Sequence, residues 1–276
     1  MTASSVLRPR NQRGFSLVEL AVVFSIVVLL LGSLMYTLGA QIENRAIADT
    51  QRRLDEAKDL IVAFAMVNGR LPCPASATSN GDEATTAGVC SNYYAGLLPA
   101  RAIGFTPVDS SGYGLDVWGN RIRYAVSQKT TISDNLFTTA NGVKNNFGGT
   151  TALAPRDLLV CSAYGTSGST STTTPSCGAA SDPTPGFAVT NLQTVVAVIW
   201  SQGKNVNTAS FGSPAVAGQA SADEALNNKT TANSNHGVFV HHPPRSPFDG
   251  GEFDDQMVWI PVGLLYGRMI SAGVLP

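Results

Sequence analysis

A chain of 276 residues, 43% of them apolar, is long enough to bury a sizeable core in one or two domains. Its 18 basic and 19 acidic residues give a formal charge of −1; without Arg8, Arg10 and Arg13 the basic count is 15 and the charge −4, which argues against a nucleic-acid surface. Only 13% of residues are charged, and Ser, Thr, Asn and Gly are abundant, as suits a head displayed outside the cytoplasm.

Residues 1–14 are basic and polar, contain Pro9 and hold no apolar core, so they read as a processing signal. From Leu17 to Leu38 Glu19 is the only residue that ionises. As a helix rising about 1.5 Å per residue, this run matches a bilayer core of roughly 30 Å, and a transmembrane helix is expected over 15–39. A carboxylate there is costly and needs a partner. A peptidase cutting after Gly14 would leave a free amine on Phe15, four residues before Glu19, and staggered subunits could then neutralise each other.

Gly14-Phe15-Ser16-Leu17-Val18-Glu19, preceded by Arg8, Arg10 and Arg13, resembles the prepilin leader of type IV pilins and type II secretion pseudopilins. The resemblance implies cleavage between Gly14 and Phe15 by a prepilin peptidase, N-methylation of Phe15 and use of Glu19 in subunit registry. It also implies other pilin or pseudopilin subunits and a polytopic inner-membrane assembly platform as partners. The alternatives are a plain signal anchor and a Sec signal peptide, whose apolar core of about 7 to 15 residues fits this run less well.

Beyond the span, Ile42, Ala46, Thr50, Leu54, Ala57, Ile61 and Phe64 recur at three- and four-residue steps, with Arg52, Arg53, Asp55, Glu56 and Asp59 on other faces. This predicts an amphipathic continuation of the helix over 40–68, with Arg52 pairing Glu56, a stop at Asn68-Gly69, and Pro72 and Pro74 preventing resumption. The head then spans 69–276. The expected fold class is α+β: a long N-terminal transmembrane and amphipathic helix packed on an antiparallel sheet, with long loops and a short C-terminal helix.

All four cysteines lie in the head, which a basic leader held inside would place in an oxidising compartment. Cys73 with Cys90 and Cys161 with Cys177 each enclose a short polar loop, and these are the favoured pairings among three connectivities. Zinc is disfavoured by the lack of any CxxC spacing.

Asp116 to Val126 reads as a turn at Gly119-Asn120 feeding a strand, with Ile122, Tyr124 and Val126 on one face and Arg121 and Arg123 on the other. The Asp-x-Trp-Gly-Asn turn is similar to the entry to the head sheet of major pseudopilins; Trp118 and Tyr124 are expected in the core. Residues 127–155 read as a surface insertion, 157–161 as a short buried strand, and 165–186 as a mobile loop too poor in apolar residues to pack. Thr194 to Trp200, β-branched and apolar on both faces, is expected at the centre of the sheet. The Gly203-Lys204-Asn205 that follows is no phosphate loop, since the upstream glycine and the Ser or Thr after Lys204 are missing; it resembles the Gly-Lys-Asn turn of pseudopilin heads.

Residues 206–253 form a variable loop with a short helix around Asp223–Asn227. In it, His236, His241 and His242 do not present ligands at helical spacing, because Pro243 and Pro244 extend the chain. Asp249, Glu252, Asp254 and Asp255 precede a last strand, Gln256–Pro261. Major pseudopilins carry a calcium-binding carboxylate loop in this position, so the resemblance makes Asp254 and Asp255 candidate calcium ligands, although the long insertion departs from the compact family loop. Leu264, Leu265, Met269 and Ile270 predict a C-terminal helix over 263–272.

No nucleophile with base and orienter is evident, and no catalytic residues are expected. The reading is a non-enzymatic minor pilin or pseudopilin, in the bacterial inner membrane with its leader in the cytoplasm and its head in the periplasm. The alternative is a membrane-anchored adhesin or binding module exported by the prepilin pathway.

Overall fold

The computed structural model describes residues 16–204, 222–229, 236–245 and 253–275, without the side chains of 33–38, 40 and 222. The Gly14-Phe15 cleavage point, the leader arginines, Asp249 and Glu252 lie outside the described residues. The chain divides into two units, Met1–Arg45 and Ala46–Pro276.

Helix α1 is Leu17–Asn68. In the first unit its large apolar side chains from Leu17 to Leu31 are exposed. Among the described residues no helix is long and apolar enough to cross a membrane; the predicted run to Leu38 includes side chains outside that description.

In the second unit Thr50, Leu54, Ala57 and Ile61 are buried at the predicted spacing, and Val62 and Ala65 widen the seam. Ile42, assigned to the same seam, is 66% exposed and belongs to the first unit. Arg52 pairs with Asp49 at 3.8 Å, not with Glu56. An acid one turn before the base suits the helix dipole better than the reverse order, and neither solvated pair adds much stability. The helix stops where Gly69, at φ +66°, turns its N–H to the Ala65 carbonyl at 2.9 Å.

The head begins with a two-stranded ladder of β1 (Thr85–Thr86) and β2 (Val89–Cys90). Then come β3 (Gly96–Leu97), α2 (Ala100–Ile103), β4 (Arg123–Val126), α3 (Gly142–Asn146), β5 (Leu159–Ala163), β6 (Phe187–Ala188) and β7 (Val195–Ser201). The last elements are α4 (Ala222–Asn227), β8 (Val238–Val240), β9 (Gln256–Pro261) and α5 (Val262–Ser271). The principal sheet is antiparallel in the order β3-β4-β7-β9, with every residue of β7 buried at its centre. Trp200 on β7 meets the Phe239 ring edge-on at 4.9 Å. Under α5, Leu265 and Met269 are buried, while Leu264 and Ile270 face out.

Several expectations are corrected. The second sheet, β6-β5-β8, is mixed: β5 pairs β8 in parallel, Leu159 opposite Val238. The long crossover between them permits that geometry. Residues 127–155 do not lie on the surface as a whole, because Phe137, Val143 and Leu153 reach the main core. Their apolar residues are few but spaced to anchor successive turns. In 165–186 the backbone is hydrogen-bonded: Ser169 and Ser176 exchange bonds at 2.9 Å, and Asp182 accepts from the Ser167 N–H at 2.9 Å and hydroxyl at 2.6 Å. Polar side chains satisfy the backbone there, and Cys177 anchors the segment in a small apolar cluster with Leu159, Cys161, Val238 and Val240. Trp118 is only half-buried, whereas Tyr124 is fully buried.

The structure bonds Cys73 to Cys90 and Cys161 to Cys177. Glu83 secures the first loop from within, chelating Arg70 at 2.6 and 2.9 Å and accepting the Cys73 N–H at 2.6 Å.

Candidate functional site

The turn expected at Gly119-Asn120 joins α1 to the sheet. Gly119 takes φ +83°, and Asp116 accepts the Asn120 N–H at 2.7 Å and the Ser201 hydroxyl at 2.5 Å. Asn120 donates to the Gly203 carbonyl at the end of β7. From α1, Arg53 donates to the carbonyls of Leu115 and Asp116. Burial pushes the Asp116 pKa up to about 6, against the opposing hydrogen bonds from Ser201 and Asn120. The folded head therefore holds a proton here that the unfolded chain has lost, and stability falls as pH rises from about 4 to 6. Below about pH 4 this contribution is fully present. Asp116→Asn is expected to flatten that part of the stability profile, removing a dependence on the order of 3 kcal/mol. Chemical unfolding of both proteins across the window checks it, and superimposable slopes would refute it.

Arg123, predicted opposite the core face, is 2% exposed. Its guanidinium lies 5.6 Å from the Trp200 ring and donates to Gln202 Oε1 and the Asn228 carbonyl, each at 3.2 Å. Burial lowers its pKa to about 10, with Asp255 opposing. Every residue of β4 is buried: on the face of Arg123, its cross-strand partner Trp200 packs against Phe239 of β8, and Asn228 meets the guanidinium.

The head's candidate metal centre lies beyond Arg123. One carboxylate oxygen each from Glu224 on α4 and from Asp254 and Asp255 before β9 lie within 4.8 Å of one another. Asp254 Oδ2 accepts the Lys204 N–H at 2.8 Å, and Asp255 Oδ2 accepts from Asn227 Nδ2 at 2.8 Å. Asp255 Oδ1 is buried with no hydrogen-bond partner among the described residues. Burial raises the Asp255 pKa well above the carboxylate range; Asn227 opposes this, Asp254 adds to it and Arg123 counters. An all-oxygen, multi-carboxylate donor set with a buried, unsatisfied oxygen fits a hard divalent cation. The structure thus brings Asp254 and Asp255 together and adds Glu224, which sequence reasoning missed.

The histidines sit apart from this group. His236 Nδ1 is 2.7 Å from the buried Lys229 amine, His241 packs edge-on against Trp259, and His242 stacks on Phe253 and approaches Asp223 at 3.3 Å.

In the first unit, Ser16 opens α1. Its N–H and hydroxyl donate to Glu19 Oε2 at 3.0 and 3.1 Å, and the Glu19 N–H donates to the Ser16 hydroxyl at 3.2 Å. This is a reciprocal capping box, written in the sequence as Ser16-x-x-Glu19 but not read there. Residues 9–35 match the family described as the prokaryotic N-terminal methylation motif.

The chain has a prepilin-type N terminus.

A prepilin-type motif implies processing by a prepilin peptidase, assembly with other pilin subunits and a place in the cell envelope. The match stops short of the head. No curated protein and no solved structure matches this prepilin-type chain.

Proposed function

We propose that the chain is a non-enzymatic minor pilin or pseudopilin, cleaved between Gly14 and Phe15, methylated on Phe15 and assembled through its N-terminal helix. The observation that carries this reading is the methylation motif over residues 9–35, within which an apolar helix begins at Leu17 with Glu19 in its first turn. Residues 1–14 act as the cytoplasmic leader, 15–39 as the membrane helix, 40–68 as its amphipathic continuation and 69–276 as a periplasmic head. Two disulfides support an oxidising compartment. A head of about 208 residues, the chain less its first 68, is large for the repeating subunit of a fibre and supports a minor role. In this reading Asp254 and Asp255 are calcium ligands.

The test is the intact mass and N-terminal residue of the membrane-extracted protein, from cells with and without the prepilin peptidase. A chain beginning at N-methylated Phe15, lost without the peptidase, is expected. Retention of residues 1–14 in both would overturn the proposal in favour of a signal-anchored binding protein.

A further inference from the structure

We propose that Glu224 is the third protein ligand of the calcium ion held by Asp254 and Asp255, so that the cation fastens α4 to the entry of β9. This inference rests on the calcium reading of the two aspartates and adds a residue from the long insertion. Glu224 stands in the first turn of a six-residue helix, where a glutamate ordinarily points to water, yet it is 2% exposed. Its carboxylate joins those of Asp254 and Asp255 within 4.8 Å, a span that a cation with bonds of about 2.3–2.6 Å to oxygen can bridge. Three carboxylates so close repel one another, and a cation between them relieves that repulsion.

Two further observations point to a ligand. Asp255 Oδ1 is buried and has no hydrogen-bond partner among the described residues, which is costly unless something binds it. The backbone after β7 is also pressed against the site. A Cβ on Gly203, at φ +68°, would lie 2.2 Å from Asp254 Cγ, so the turn holds that carboxylate in place. The other sides of the group are framed by Asn227, which donates to Asp255 and to the Val240 carbonyl and accepts the Val240 N–H. The arrangement therefore links α4, β8, the turn after β7 and the entry to β9. Calcium is chosen over magnesium because carboxylates projecting from separate elements suit an irregular shell better than a strict octahedron.

The experiment uses the full chain, extracted in detergent, stripped with chelator and titrated with calcium chloride while its thermal unfolding is followed. The wild type is expected to rise in Tm with calcium at millimolar concentration or below, and Glu224→Gln to need at least about tenfold more calcium for the same rise. Glu224→Asp, which keeps the charge on a shorter side chain, is expected to fall between them. A Glu224→Gln response equal to the wild type, with Asp254→Asn unresponsive, would overturn the role of Glu224 and leave the aspartates as ligands. No response from the wild type would overturn the calcium reading as a whole, and an equal response to magnesium would overturn the choice of calcium.

Discussion

Replacing Asp157 with Ala is expected to destabilise the head by about 3–5 kcal/mol, the largest single-residue effect on folding foreseen here. Asp157 is fully buried and lies two residues before β5. It accepts four hydrogen bonds: the Tyr94 hydroxyl at 2.8 Å, the Ser127 hydroxyl at 2.6 Å, and the N–H groups of Gln128 and Lys129 at 2.7 and 2.8 Å. The last three donors follow directly on β4, so one carboxylate joins the entry of the second sheet to the exit of the principal sheet. Burial raises its pKa, and the Ser127, Lys129, Tyr94 and Gln128 donors all oppose the rise. Truncation would strand all four donors, whereas Asp157→Asn keeps one oxygen and should cost less. Urea melts of the full chain in detergent measure this as a lower midpoint at unchanged slope. A loss below about 1 kcal/mol for Ala would contradict it.

A second large effect is expected at the other end of the chain, on assembly. Glu19→Gln should be cleaved and membrane-bound like the wild type, yet incorporated into filaments at least about tenfold less, equivalent to about 1.4 kcal/mol per subunit contact. Gln is the informative choice because a capping box accepts either Glu or Gln at its third position. The bonds between Ser16 and residue 19 are thus retained while the charge that would meet a neighbour's Phe15 amine is lost. Glu19→Ala removes both, and a gap between the two variants isolates the cap. Pilin content of sheared filaments, normalised to mature protein in the membrane, is the measurement. Normal incorporation of the Gln variant would show that the charge is not used.

What the sequence made legible followed from strong local chemistry. β7 announces itself by its β-branched run, β9 begins and ends at the expected Gln256 and Pro261, and α1 stops at an Asn-Gly followed by prolines. What it concealed depends on partners distant in the chain. Arg123 alternates away from the core face, and alternation along a strand cannot reveal that Trp200, Phe239 and Asn228 close over the other face. Glu224 carries no signal in the sequence beyond its place in a short helix, and only the fold brings it to Asp254 and Asp255. Leu136, Phe137, Val143, Phe147 and Leu153 are thinly spread through a polar segment, yet such spacing is enough to pin an irregular segment to a core. The capping box is different: Ser16-x-x-Glu19 is a local pattern legible in the sequence, and Glu19 serves it while carrying the span's one carboxylate.

The position of β9 has a consequence for how the head comes into being. β7 pairs with β4 on one side and β9 on the other, and β9 is drawn from residues 256–261 of a 276-residue chain. Until those residues emerge, a seven-residue strand, apolar but for Ser201, has one side of its backbone hydrogen bonds unmade. Such an edge is what strands of other chains add to. The head therefore passes through synthesis as a template for association, and a chain cut short before Gln256 would keep that edge permanently, favouring aggregation over a smaller stable head.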